Sequence, residues 1–178
     1  VGQEALYSNT TANSNVAVGY QSQYSGTTGN SNSSLGFSAL LSNTDGDRNV
    51  AVGVNALYTF NPSSAGDTYN TAIGGYSLYS TTTGQYNTAL GGDALYSNTT
   101  ASNNTAVGYQ AGYSNTTGTQ NTFLGIQSGY SNTASYNTFL GAYTGYSNTT
   151  GIANAIVGGP NTANPTFYYN TTGSYNTV

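Results

Sequence analysis

Apolar residues in this chain arrive singly and on a schedule. An aliphatic side chain stands immediately before a glycine at Val1, Val18, Leu35, Val52, Ile73, Leu90, Val107, Leu124, Leu140 and Val157. The glycines themselves are Gly2, Gly19, Gly36, Gly53, Gly74, Gly91, Gly108, Gly125, Gly141 and Gly158, and most intervals between them are 17 residues. Three places after the glycine the residue is small, as at Ala39, Ala56, Ser77, Ala94, Ala111 and Ser128. Five places after it stands a tyrosine: Tyr7, Tyr24, Tyr58, Tyr79, Tyr96, Tyr113, Tyr130 and Tyr146, with Leu41 and Ala163 as the exceptions. Four places before it stands an asparagine: Asn15, Asn32, Asn49, Asn70, Asn87, Asn104, Asn121, Asn137 and Asn154. A fixed short period of this kind marks a stack of one structural unit.

Side chains on alternate residues of a strand share a face. The aliphatic, small and tyrosine positions share a parity, so the pattern predicts that all three point inward, with the residue three before the glycine beside them. The stretch after the tyrosine reads S-N-T-T, as in Ser97–Thr100, and those residues favour turns. Each rung then reads as strand, bend at glycine, strand, turn. No stretch carries a helical period. The predicted fold is all-β, a parallel β-solenoid (β-roll) of ten stacked rungs in a single array over residues 1–178. Stacking places like over like, giving an asparagine ladder and a tyrosine ladder with structural roles. Two rungs carry extra residues, and the pattern predicts outward loops near residues 59–67 and 160–170. Phe60, Phe167, Tyr168 and Tyr169 become candidates for lateral contacts. Asn176-Thr177-Val178 followed by Val1-Gly2 would restore the rung N-T-V-V-G. That junction leads us to expect stacking that continues end to end, the 178 residues being one period of something longer.

Composition narrows the function. Charged residues make up 3% of the chain and the net charge is −4, so the counterion-displacing cations that nucleic-acid binding needs are missing. No apolar run approaches the length of a membrane span. With neither His nor Cys, most nucleophile–base pairs are unavailable, and we expect no enzyme and no cofactor. Asp45 and Asp47, near Asn43, form a weak calcium candidate that matches no full loop signature. Sequons in N-T-T turns make Asn9, Asn98, Asn115, Asn148 and Asn170 the glycosylation candidates, while the sequon at Asn32 belongs to the ladder and should be buried.

The rung N-T-A-V-G-Y-Q-A-G-Y-S-N-T-T-G at Asn104–Gly118 resembles two groups of repeats. One is the head region of trimeric autotransporter adhesins, whose rung is shorter and lacks the tyrosine. The other is the Y-Q-A-L-Y-S-N-T-T-G repeat of phage tail fibres and large bacterial surface proteins. The resemblance covers essentially the whole chain. It implies an extracellular β-solenoid fibre without enzymatic activity. The leading expectation is part of a secreted filament, a surface fibre or matrix scaffold, whose partners are copies of itself and covalent glycans. The alternative is a tail-fibre or adhesin shaft that touches host glycans. A third reading, an ice-binding solenoid, rests on the aligned row Thr71, Thr88, Thr105, Thr122 and Thr138.

Overall fold

The computed structural model describes residues 1–158 and 168–178, and among them there is no helix. Eleven short strands follow in chain order: β1 (Val16–Val18), β2 (Ser33–Leu35), β3 (Gly46–Asp47), β4 (Val50–Val52), β5 (Gly66–Asp67), β6 (Thr71–Ile73), β7 (Thr88–Leu90), β8 (Thr105–Val107), β9 (Thr122–Leu124), β10 (Thr138–Leu140) and β11 (Ala155–Val157). All except β3 and β5 form one nine-stranded sheet in chain order, and every pairing is parallel. The register is one rung per strand, as in Thr105↔Thr122 and Val107↔Leu124. Thr177 adds a further parallel bridge to Ala155. The chain is the expected parallel β-solenoid.

Insertions leave this register intact. Val50 pairs with Thr71 although that step is longer than 17 residues. The β3–β5 pair shows where the extra residues go: Gly46 lies over Gly66, while Thr44 is bonded to Asn61. Most of the insertion therefore falls at 62–65, where Ser63, Ser64 and Ala65 are exposed. Phe60 is not part of an outward loop. It is fully buried among the core side chains, which corrects its reading as a lateral contact. The second predicted loop, with Phe167 and the ladder exception Ala163, lies largely outside the described residues.

The direction of the side chains also departs from the parity argument. In each strand the middle residue is buried: Ala51, Ala72, Ala89, Ala106, Phe123, Phe139 and Ile156 are fully enclosed. The aliphatic residue before the glycine faces outward instead, as at Leu35, Leu90, Leu124 and Val157. The residue three before the glycine faces outward with it. Among the described residues the predicted second strand is absent. Beyond the glycine the backbone passes through left-handed conformation two and four positions on, as at Asp93 (φ 55°) and Leu95 (φ 51°). Alternation of faces assumes extended backbone, so it does not carry across this segment.

The turn segment still pairs its backbone groups. Gln110 N–H donates back to Gly92 C=O at 3.0 Å, and Gly112 N–H donates forward to Ser128 C=O at 2.9 Å. The turn thus reverses the direction in which the inter-rung amides donate, back as far as Gln110 and forward from Gly112. It also aims the fourth residue after the glycine inward, where Leu40, Leu57, Leu78 and Leu95 are fully buried. A non-glycine residue there costs about 1–2 kcal/mol of strain. Burying a leucine returns about 1.5–3 kcal/mol, so burial prevails.

The bend explains the anchor glycines. At Gly108 φ is 132°, and an added Cβ would lie 2.6 Å from the carbonyl oxygen of Gly125 in the next rung. Rungs can approach this closely only without a side chain.

In several rungs core volume is exchanged between two positions. Where the middle strand residue is Ala72 or Ala89, the inward turn residue is Leu78 or Leu95. Where it is Phe123 or Phe139, the turn residue is Gly129 or Gly145, and a Cβ on either would run into that phenylalanine ring. We predict that Phe123→Ala costs about 3–5 kcal/mol by opening a cavity. Adding Gly129→Leu, in the conformation that Leu95 already adopts, should restore more than half of that loss in a urea melt. Additive destabilisation by the two changes would contradict the exchange of volumes.

Candidate functional site

The residues that repeat most strictly form ladders along the stack. Each ladder asparagine sits immediately before a strand, after a residue in left-handed conformation such as Asn103 (φ 61°). This turn aims its side chain inward, where Asn49, Asn70, Asn87, Asn104, Asn137 and Asn154 are buried. Its Oδ1 accepts the backbone N–H of the asparagine in the next rung. The links run unbroken from Asn15 through Asn32, Asn49, Asn70, Asn87, Asn104, Asn121, Asn137 and Asn154 to Asn176. Its Nδ2 in most rungs donates across the rung to a backbone carbonyl, from Asn104 to Gly118 C=O at 2.9 Å.

A second asparagine ladder meets the first at that carbonyl. Asn115 Nδ2 also donates to Gly118 C=O, at 2.9 Å. Asn87 and Asn98 converge in the same way on Ala101 C=O, and Asn137 and Asn148 on Gly151 C=O. Two side chains thereby close each of these rungs from opposite sides of one acceptor. The signal was present in the sequence as the Asn of S-N-T-T, but a polar residue in a turn reads as exposed.

This arrangement corrects part of the glycosylation expectation. Asn98, Asn115 and Asn148 are fully buried, and the folded solenoid leaves no room for a glycan on them. Asn9 is exposed and Asn170 half-buried, both hydrogen-bonded to their own turns. The sequon at Asn32 is buried, as the ladder requires. Asn103, also followed by a threonine two places on, is exposed.

The tyrosines stack on the outer side of the turn segment rather than inside it. Seven rings from Tyr58 through Tyr79, Tyr96, Tyr113, Tyr130 and Tyr146 to Tyr168 form one column, with centroids 4.9 to 5.3 Å apart and nearly parallel planes. Tyr7 and Tyr24 form a separate pair. Tyr168 is therefore a rung of the ladder, not a lateral contact in the sense expected for it, while Tyr169 is exposed and meets Tyr168 edge-on. Desolvation first, and the neighbouring phenols second, push the hydroxyl pKa of Tyr79, Tyr113 and Tyr168 above the usual value.

Three of the five acidic residues, Asp45, Asp47 and Asp67, gather near one turn. Asp45 accepts from the hydroxyls of Thr28 and Thr44, which hold its carboxyl below the usual range. Asp47 accepts from Asn30 N–H at 2.6 Å. Asn43, the third residue of the weak calcium candidate, spends its side chain on Gly46 in the second asparagine ladder. Among the described residues no three acidic, histidine or cysteine side chains gather as a metal site. Arg48 pairs with Asp67 and lies over the Tyr69 ring, in an exposed arrangement worth about 0–1 kcal/mol.

Two predictions follow the ladders. Asn104→Ala strands the N–H of Asn121 and should cost about 2–4 kcal/mol in a denaturant melt. Asn115→Ala leaves Gly118 C=O still bonded to Asn104 but removes the partner of the buried Asn98 Oδ1, and should cost about 1–3 kcal/mol. A larger loss from Asn115→Ala than from Asn104→Ala would contradict the leading role of the first column. In alkali, the raised tyrosine pKa values favour the neutral phenol in the fold. That stabilisation is complete below about pH 10 and is lost as pH rises through the raised values. The melting temperature should therefore fall above about pH 10 in step with tyrosinate absorbance, and Tyr113→Phe should reduce the dependence.

Comparison of the chain with protein-family models, with curated proteins and with solved structures returns no match.

Proposed function

We propose that this chain is the structural part of an extracellular filament, a surface fibre or matrix scaffold built by continued axial stacking of rungs. One observation carries the reading. Successive rung-to-rung interfaces use the same partners: strand to strand, asparagine Oδ1 to asparagine N–H, glycine against glycine. An interface that repeats by translation alone generates an open, unbranched assembly. The next rung is supplied by a second copy or by further repeats of the same chain. The near absence of charge supports the reading, because identical neighbours carry no repulsion from rung to rung.

Glycans belong to the proposal only at exposed positions, namely Asn9, Asn103 and the threonines and serines of the outer turns. An adhesin or tail-fibre shaft would use the same rod and differ in what it carries at its tip.

Electron microscopy with mass-per-length measurement tests this. The chain has a mass of 18.2 kDa and a length of about 48 Å at the usual strand spacing, which is roughly 3.8 kDa per nanometre. The expected result is unbranched filaments many times longer than one chain, with a mass per length that is a whole multiple of that value. Discrete rods one chain long at every concentration would overturn the filament reading. Loss of an additional mass on deglycosylation would locate the sugar coat.

A further inference from the structure

The outward side of the nine-stranded sheet is an apolar surface with nothing packed on it among the described residues. Its central row is the aliphatic residue before each glycine, including Leu35 (51% exposed), Leu90 (44%) and Leu124 (41%). A flanking row just past the glycine adds Phe37, Val54, Tyr109 and Ile126, all exposed. The other flank is the small row that includes Thr88, Thr105, Thr122 and Thr138. No charged residue stands in any of the three rows. Beyond them lies a polar rim, where Gln127 donates to Gln110 and Gln110 to Asp93.

We infer that this face pairs with the same face of a second copy, so that two solenoids lie side by side in a dry contact. The area argues for it. Nine strands at about 4.8 Å, by about five residues at 3.3 Å each, give roughly 700 Å² per copy. Twice that is about 1,400 Å², within the 1,200–2,000 Å² of stable interfaces. A patch of this size exceeds what monomers usually leave exposed. An apolar centre with a polar rim is the anatomy of such an interface. The period selects the partner: only a surface with the same rung spacing meets these rows along their whole length, as paired identical sheets do. This lateral contact is independent of axial stacking.

Sedimentation equilibrium and small-angle scattering of the chain, below the concentration at which filaments form, provide the test. The expected particle has twice the 18.2 kDa mass and the length of one chain, with a doubled cross-section. Leu90→Lys with Leu124→Lys should return it to a single mass. Thr100→Lys with Thr117→Lys, exposed residues outside the sheet, should leave it paired. Circular dichroism reports whether each variant folds. A single mass for the parent, a doubled mass with doubled length, or three copies per cross-section would overturn the inference. So would a folded L90K/L124K variant that stays paired. The parent's cross-section decides the matter even if that variant fails to fold.

Discussion

Every rung must keep the backbone shape of its neighbours, because the buried amide N–H before each strand finds its partner one rung away. The asparagine before each strand expresses this constraint most directly. Its Oδ1 accepts the N–H of the next asparagine, and in most rungs its Nδ2 spans the rung to a carbonyl. A buried amide without such partners is costly, so a rung that departs from the shape loses several hydrogen bonds at once. The close approach at the glycines acts in the same direction. It excludes any side chain at the bend and sets how far apart the rungs can lie.

Given that scaffold, apolar burial has a modest role. The core is thin: a row of alanine, phenylalanine or isoleucine from the strands, and from the turns a row of small residues such as Ala94 and Ala111 beside one of leucine or glycine. Volume is exchanged between the strand row and the leucine or glycine row, so that Phe123 is matched by Gly129 and Ala89 by Leu95. A phenylalanine ring takes the space of the turn side chain in its own rung and, for Phe123, also in the rung before, where Ala106 stands with Gly112. The insertions follow the same logic. The exposed residues at 63–65 leave the rung while Thr71 returns to register over Val50.

The period, the parallel stacking and the asparagine and tyrosine columns were legible in the sequence, because identical residues at a fixed spacing need no tertiary information to be aligned. The orientation of the side chains was not. Leu90 and Leu124 share a parity with Ala94 and Ser128, yet they face outward. Glycine at the bend and left-handed residues such as Asp93 and Leu95 break the alternation on which parity depends. Asn98 and Asn115 were misread for a related reason: turn composition suggested exposure, whereas the turn delivers a side chain into the core. Phe60 stands two residues before a proline and reads as loop, but it fills the place that Asn43 occupies one rung earlier. Aliphatic residues turned outward, with amides buried beside the apolar core, leave one apolar face on the outside.

Hydrogen exchange at the backbone amides of the ladder asparagines tests the account most directly, since it reports the asparagine contact whatever the state of assembly. The account predicts that Asn87, Asn104, Asn121 and Asn137, whose N–H groups bond only to a side-chain oxygen one rung away, are as strongly protected as the neighbouring strand amides of Thr105 and Thr122. Exchange at the rate of open turns, with the strands still protected, would contradict it.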